Sequence, residues 1–225
     1  MSTLSRSLIN AVIKYIAGVI IFAALLFIPA GTFHFPEAWQ VMFLLFVPMF
    51  AMGIALSIYS PNLLAERLDA KEKSKKQQGI IKFSGLIFLA GFIVAGLDKR
   101  YNWSEIPFTL RATCSILFLL SYAMYAEVMR ENAWLSRSIK VVEGQKVVSS
   151  GLYGIVRHPM YSATLLMFTS MPIILGSWYS LAIFLFYIPA IVARIIEEEH
   201  LLTKELTGYS DYCKEHRWRL IPFIW

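Results

Sequence analysis

The stretch from Gly151 to Tyr161 contains the first group of residues that suits chemistry. It reads Gly-Leu-Tyr-Gly-Ile-Val-Arg-His-Pro-Met-Tyr and sets Arg157 and His158 directly before Pro159. Proline suits the first turn of a helix, because its missing N–H would have no partner there. Arg157 and His158 are therefore expected at a helix N-terminus, where free backbone N–H groups and the helix dipole attract an anion. An arginine–histidine pair that only anchors the helix fits these residues equally well.

A second group closes the last apolar segment, where Arg194 is followed by three consecutive glutamates, Glu197 to Glu199. Residues four apart on a helix share a face, so Arg194 and Glu198 are predicted neighbours. Arg194 lies deeper toward the membrane than the glutamates, and a charge there usually faces the bundle interior or a water-filled cavity. The alternative is a solvated helix extension with one surface ion pair. We expect at least one of the glutamates to be merely solvated.

Both groups must be positioned by helices in a membrane. Of the 225 residues, 57% are hydrophobic and 16% are charged, whereas a soluble domain has about 25% charged residues. The sequence predicts an all-α integral membrane protein of about six transmembrane helices. Four helices fall in residues 1–128 and the candidate catalytic core in residues 129–225, where only Gly176-Ser177 separates the last two spans into a helical hairpin. The six apolar segments are Ala11–Ala30, Trp39–Tyr59, Ile80–Leu97, Ala112–Val128, Tyr161–Leu175 and Trp178–Ile196.

The net charge of +6 is distributed unevenly. The loop Ser60–Gly79 and the segment 129–158 are rich in lysine and arginine, whereas the other side of the membrane has only Lys99, Arg100 and Arg111. The positive-inside rule predicts that both termini and both long loops are cytoplasmic, in the inner membrane of a bacterium or the endoplasmic reticulum of a eukaryote. The charge then indicates orientation and a contact of the basic loop with anionic lipids, not nucleic acid. The two cysteines are far apart and give neither a disulfide framework nor a zinc spacing.

Taken together, the two groups resemble the isoprenylcysteine carboxyl methyltransferase family and its phospholipid methyltransferase relatives. The resemblance covers about residues 145–225, and its specificity comes from the Arg-His-Pro-x-Tyr and Glu-Glu motifs occurring together. Ser162-Ala163 stands where relatives usually have a nearby glycine, and Leu206-Thr207-Gly208 where many have Phe-Gly. The matching motifs are Gly151-x-Tyr153, Arg157-His158-Pro159-x-Tyr161, Arg194-x-x-x-Glu198-Glu199-x-x-Leu202, Gly208-Tyr209-x-x-Tyr212 and Leu220-Ile-Pro222.

The resemblance implies an all-helical, multi-pass enzyme that uses S-adenosylmethionine without a Rossmann domain and without a metal. No G-x-G-x-x-G motif follows a predicted strand, which agrees with this. It further implies that Arg194 holds the substrate and that Glu198 faces the cofactor, so these two are the predicted catalytic residues. The cofactor-binding residues that it implies are Gln145, Lys146, Val147, Val148, Tyr153, His158, Pro159, Met160, Tyr161 and Glu198.

The methyl acceptor is open between a carboxylate and an amine. A carboxylate with a free pKa of about 3.3–3.7 is ionised at neutral pH and needs no general base, and Arg194 can bind it bidentately. An amine must first lose a proton, for which Glu197 or Glu199 is the candidate base. We expect O-methylation of a prenylcysteine or a similar lipid-linked acid that enters from the bilayer. N-methylation of a phospholipid, a sterol-reductase-like enzyme with a nicotinamide cofactor, and a transporter or non-catalytic membrane protein are the alternatives.

Overall fold

The protein is helical, as the sequence predicts. The structure, a computed structural model, describes residues 3–61, 63–64, 74–136, 139 and 141–225. The described residues contain no strand, and the all-α prediction is confirmed. The helices are α1 (Thr3–Ala30), α2 (Pro36–Tyr59), α3 (Lys75–Tyr101), α4 (Phe108–Glu131), a 3-10 turn (Gly151–Gly154), α5 (Pro159–Ile174), α6 (Trp178–Leu185), α7 (Tyr187–Glu205) and α8 (Tyr209–Glu215).

Five helical segments are long and apolar enough to cross a bilayer, and α5 is a shorter apolar helix. In the described part of the chain these correspond to the six predicted spans. The first lies at residues 11–30, the next three are α2, α3 and α4, and α6 and α7 together form the last. The basic loop that is predicted to contact anionic lipids falls mostly on residues 65–73, which lie outside the described residues.

The predicted hairpin is formed by α5 and α6. Gly176 turns the chain with φ +83°, a value that favours glycine because it has no Cβ. Ser177 then caps α6 by accepting a hydrogen bond from the Ser180 N–H at 3.0 Å. The hairpin returns the chain to the end of the bundle where α5 began, so the start of α5 and the end of α7 lie together.

Small residues on α3 let its neighbours approach closely. A Cβ at Gly91 would overlap the ring of Phe184 on α6, and one at Gly96 would lie 2.6 Å from the Leu26 carbonyl oxygen on α1. Close backbone approach of this kind is a common basis of helix packing in membranes, where no hydrophobic effect drives helices together. These contacts place α3, from the N-terminal half, against the C-terminal hairpin.

The C-terminal segment crosses the start of α5. The Arg157 N–H donates to the Trp218 carbonyl at 2.8 Å, and the His158 N–H donates to the Arg219 carbonyl at 2.9 Å. The Ser162 hydroxyl donates to the Leu220 carbonyl at 2.6 Å. Backbone groups at the beginning of α5 are therefore bound to the tail of the chain, which forms one wall of the region described next.

Candidate active site

A cleft opens at the end of the bundle where α5 begins and α7 ends. Its walls come from the loop between α4 and the 3-10 turn, the first turn of α5, the part of α7 from Arg194 onward, and α8. Arg194 and all ten residues predicted to bind the cofactor line this single cleft. They are Gln145, Lys146, Val147, Val148, Tyr153, His158, Pro159, Met160, Tyr161 and Glu198. The structure thus brings the predicted site together, and the roles of its members stay predictions.

The loop wall is held in place by side-chain hydrogen bonds. Gln145 Oε1 accepts from the Val142 N–H at 3.0 Å, which fixes the turn before Val147 and Val148. Tyr153 is fixed at both ends, because its hydroxyl accepts from Asn132 Nδ2 at 2.8 Å and its carbonyl accepts from the Tyr212 hydroxyl at 2.7 Å. The loop is therefore attached to the end of α4 and to α8.

Glu199 organises the rear of the cleft. It is buried, and its Oε1 lies 2.8 Å from Arg157 Nη2 and 3.2 Å from His158 Nε2, while its Oε2 accepts from Arg219 Nε at 2.8 Å. Arg157 Nη1 also donates to the His216 carbonyl at 3.2 Å. Arg157 thus anchors α7 and the C-terminal segment to the start of α5, so the anchoring interpretation describes its main contacts.

Arg194 and Glu198 meet through a tyrosine. Arg194 Nε donates to the Tyr161 hydroxyl at 2.8 Å, and that hydroxyl donates to Glu198 Oε2 at 2.6 Å. Arg194 Nη1 donates to Gln77 Oε1 on α3 at 3.3 Å. The predicted neighbourhood on one face of α7 is present, and the Tyr161 hydroxyl bridges the two charged groups. A guanidinium, a phenol and a carboxylate consequently face the cleft in a fixed order.

All three glutamates have partners, and Glu197 comes nearest to the expectation that one of them is merely solvated, because its ion pair with Lys76 is exposed to solvent. Glu197 forms an ion pair with Lys76, Glu198 accepts from Tyr161, and Glu199 is held as described above. The bundle places a partner from α3, from α5 and from the C-terminal segment against successive faces of α7, which sequence periodicity within one helix does not reveal. Neither Glu197 nor Glu199 is among the described residues that line the cleft, and Glu199 reaches it only through His158.

Further residues line the cleft that sequence reasoning left without a role. The Tyr209 hydroxyl is buried and has no hydrogen-bond partner within the described ranges. Burial raises the pKa of Tyr209 and of Tyr212, so both phenols stay protonated near neutrality and can donate. The signal was present, since both belong to the Gly-Tyr-x-x-Tyr motif. The additional lining residues include Asn132, Trp134, Leu202, Leu206, Tyr209 and Tyr212.

Comparison with known proteins confirms the resemblance. Residues 110–205 match the phospholipid methyltransferase family, which belongs to the isoprenylcysteine carboxyl methyltransferase-like group. The matched segment includes Arg157–Tyr161 and Arg194–Glu199 and ends before the C-terminal tyrosine motif. The matched family is one of methyltransferases, and the match covers less than half of this chain.

A second similarity links the same chain to a membrane reductase. It is 30% identical over 91 residues to the Delta(14)-sterol reductase of Mus musculus. The aligned part covers 39% of this chain and 22% of the reductase. The chain therefore spans only about a fifth of the length of this curated relative.

Proposed function

We propose that the protein is an S-adenosylmethionine-dependent membrane methyltransferase that O-methylates the carboxylate of a prenylcysteine or a similar lipid-linked acid. The observation that carries this proposal is the cleft, which Arg194 shares with all ten predicted cofactor residues. Arg194 is separated from Glu198 by the Tyr161 hydroxyl. An acceptor bound by Arg194 would therefore lie beside a cofactor bound along Glu198.

The residues of the cleft suit the chemical groups of S-adenosylmethionine. Tyr209 Oη and Arg157 Nε are buried donors without a partner in the described part of the chain, and both residues line the cleft. They provide hydrogen bonds for the carboxylate of the cofactor's amino acid portion. Val147 and Leu206 offer apolar surface for its adenine, and Glu198 accepts hydrogen bonds from its amino group or ribose.

The protein's own contribution to catalysis is positioning. Bound S-adenosylmethionine supplies a methyl group activated by its sulfonium. Arg194 binds the acceptor carboxylate and directs one of its oxygens toward that methyl group. The Tyr161 hydroxyl, bound to both Arg194 and Glu198, fixes the position of the guanidinium relative to the carboxylate of Glu198. Holding two reactants in line accounts for a large part of the acceleration of such a displacement.

The contacts of the three glutamates favour a carboxylate over an amine as the acceptor. An amine acceptor needs a group that removes its proton. Glu199 is bound by Arg157, His158 and Arg219, and Glu197 by Lys76. Glu198 accepts from Tyr161. A carboxylate acceptor is already ionised and needs none of these groups as a base.

The same proposal gives the orientation. Lys75, Lys76 and Lys146 lie at the cleft end of the bundle, so the positive-inside rule makes this end cytoplasmic. The water-soluble cofactor then enters from the cytoplasm and the lipid acceptor from the bilayer, with the basic loop against anionic lipids. The membrane is the inner membrane of a bacterium or the endoplasmic reticulum of a eukaryote.

The direct test uses the detergent-purified protein, S-adenosylmethionine labelled in its methyl group, and an extract of native membranes. We expect transfer of label to a lipid-soluble product, and release of that label as methanol on alkaline treatment, because a methyl ester hydrolyses and a methylated amine does not. Alkali-stable label would instead establish N-methylation. Absence of cofactor binding in calorimetry of the wild-type protein would reject a methyltransferase of either kind.

The similarity to the sterol reductase supports a second candidate, a membrane reductase with a nicotinamide cofactor. Competition separates the two. A methyltransferase binds S-adenosylmethionine, and an excess of NADPH leaves that binding unchanged. Displacement by NADPH at micromolar concentration would favour the reductase.

A further inference from the structure

Gln77 brings a polar side chain of the N-terminal half to the candidate acceptor site. It lies in the first turn of α3 and is 2% exposed. Its Oε1 accepts from Arg194 Nη1 at 3.3 Å. The preceding residue, Lys76, forms an ion pair with Glu197 one turn further along α7. This turn of α3 is thus attached to α7 at two positions, Arg194 and Glu197, in the turn that leads to Glu198.

The chemistry of arginine fixes which end of the Gln77 amide faces it. A guanidinium has only donors, so the Gln77 carbonyl oxygen must point at Arg194. The amide NH2 group then points elsewhere, and Nε2 is buried without an acceptor among the residues that the structure describes. A buried donor without a partner is costly, and native proteins contain few of them. This donor beside Arg194 indicates that an acceptor atom is supplied by a ligand.

We propose that Gln77 completes the acceptor subsite: its carbonyl oxygen holds the Arg194 guanidinium, and its NH2 group donates to an oxygen of the acceptor carboxylate. This inference rests on the proposed O-methylation. A subsite formed by a guanidinium and an amide NH2 group offers only donors. It therefore suits a carboxylate oxygen and has nothing to accept a hydrogen bond from an ammonium. Gln77 also lies outside the segment 110–205 that matches the family.

The variant Gln77→Glu separates the two parts of the proposal. An ionised glutamate still accepts a hydrogen bond from Arg194, so it still holds the guanidinium in place. It has no N–H or O–H group to donate to the carboxylate of the substrate. A protonated glutamate has one donor and one acceptor and reproduces both functions of the amide. Gln77→Ala removes both. Gln78→Glu is the matched control, because it makes the same change at an exposed position one residue further along α3.

The first measurement is the transfer of alkali-releasable label to the substrates in a native membrane extract, between about pH 5 and pH 8. The second is the affinity of each variant for S-adenosylmethionine, measured by calorimetry. At pH 8 and limiting extract, Gln77→Glu should lower the rate of methyl transfer about tenfold or more, because the KM for the methyl acceptor rises. The affinity for S-adenosylmethionine should stay within about twofold of the wild-type value. The Arg194 guanidinium lowers the pKa of a carboxylate beside it, so the glutamate should stay ionised and the rate relative to wild type should stay low down to about pH 5. Gln78→Glu should follow the wild type.

Other outcomes overturn the inference in distinguishable ways. If Gln77→Glu is as active as wild type at pH 8 while Gln77→Ala is impaired, Gln77 is only a tether for Arg194. If Gln77→Glu and Gln77→Ala both lose cofactor binding together with transfer, Gln77 supports the fold and not the acceptor. Wild-type protein that binds cofactor but yields no alkali-releasable label overturns the proposed O-methylation itself, before any variant is compared.

Discussion

The two polar ends of the helix bundle are built differently. At the end away from the cleft, Asp98 is buried on α3 and accepts from the Ser104 N–H at 2.8 Å, from the Ser104 hydroxyl at 2.7 Å and from the Ser177 hydroxyl. The Ser104 hydroxyl accepts in turn from the Trp178 N–H at 3.2 Å. The polar groups at this end bind one another, and these hydrogen bonds hold the α5–α6 turn against α3.

At the cleft end, by contrast, buried donors remain unpaired. Gln77 Nε2, Arg157 Nε and Tyr209 Oη have no partner among the described residues, and each lies beside or in the cleft. Within the described ranges the far end has one such atom, Arg111 Nε, and its guanidinium is paired with Glu37 as that of Arg157 is with Glu199, so the contrast rests on Gln77 and Tyr209. Polar groups that satisfy each other stabilise a fold, whereas unpaired buried donors indicate where a ligand supplies the acceptors.

The largest effect is expected from Glu199→Ala, because Glu199 is buried and held by several partners, as Asp98 is at the far end. Its removal leaves Arg157 buried without its carboxylate, and breaking a buried ion pair costs about 3–5 kcal/mol. Thermal unfolding in detergent measures this loss. Glu197→Ala is the control on the same helix, since an exposed pair with Lys76 contributes about 0–1 kcal/mol. Equal stability of the two variants would contradict the structural role of Glu199.

The next largest effect is expected from Arg194→Lys. Lysine keeps the charge but loses the planar fork that binds a carboxylate and donates to Tyr161 and Gln77 at once. Methyl transfer should fall by about 10²-fold, while the affinity for S-adenosylmethionine in calorimetry changes little. Arg130→Lys makes the same substitution at an exposed arginine paired with Glu127 and should keep full activity. Loss of affinity for S-adenosylmethionine in Arg194→Lys would mean that Arg194 binds the cofactor and not the methyl acceptor.

The membrane-spanning helices could be predicted from the sequence because the length of each apolar segment largely determines whether it spans a bilayer. The segments Ala11–Ala30 and Trp39–Tyr59 correspond closely to a span at residues 11–30 and to α2. The helix of the segment Ile80–Leu97 is longer than its apolar part, and α3 runs from Lys75 to Tyr101. Polar residues at the ends of a helix give no hydropathy signal, and this is why Gln77 was not predicted to be near the site.

The composition of the cleft was predicted by resemblance, and its internal contacts were not. Motif spacing could bring Arg157-His158 and Glu198-Glu199 to one end of the bundle. It could not tell which glutamate is buried, because burial of Glu199 depends on Arg219, twenty residues further along the chain. Nor could it show that the Tyr161 hydroxyl separates Arg194 from Glu198, since that bond joins α5 to α7.

A moderate effect on stability alone is expected from Ser177→Ala at the closed end. The substitution removes the cap of α6 and one donor to Asp98, which together cost about 1–2 kcal/mol. The midpoint of thermal unfolding should fall, while cofactor affinity and the KM for acceptor stay as in wild type. Ser57→Ala, which removes an exposed hydroxyl that donates to the Ile54 carbonyl within α2, is the control. A change in cofactor affinity in Ser177→Ala would show that the two ends are coupled.

The smallest effect, and the sharpest contrast with Ser177, is expected from Tyr209→Phe. The Tyr209 hydroxyl is buried and unpaired in the part of the chain that the structure describes, so its removal should leave thermal stability unchanged or slightly higher. If it donates to the cofactor, the affinity for S-adenosylmethionine should fall by about 2–10-fold, the equivalent of one hydrogen bond of about 0.5–1.5 kcal/mol. Tyr179→Phe, at an exposed tyrosine near the closed end, should change neither quantity. Lower stability with unchanged affinity would mean that Tyr209 belongs to the packing of α8, and the distinction between a closed end and a ligand-binding end would then rest on Gln77 alone.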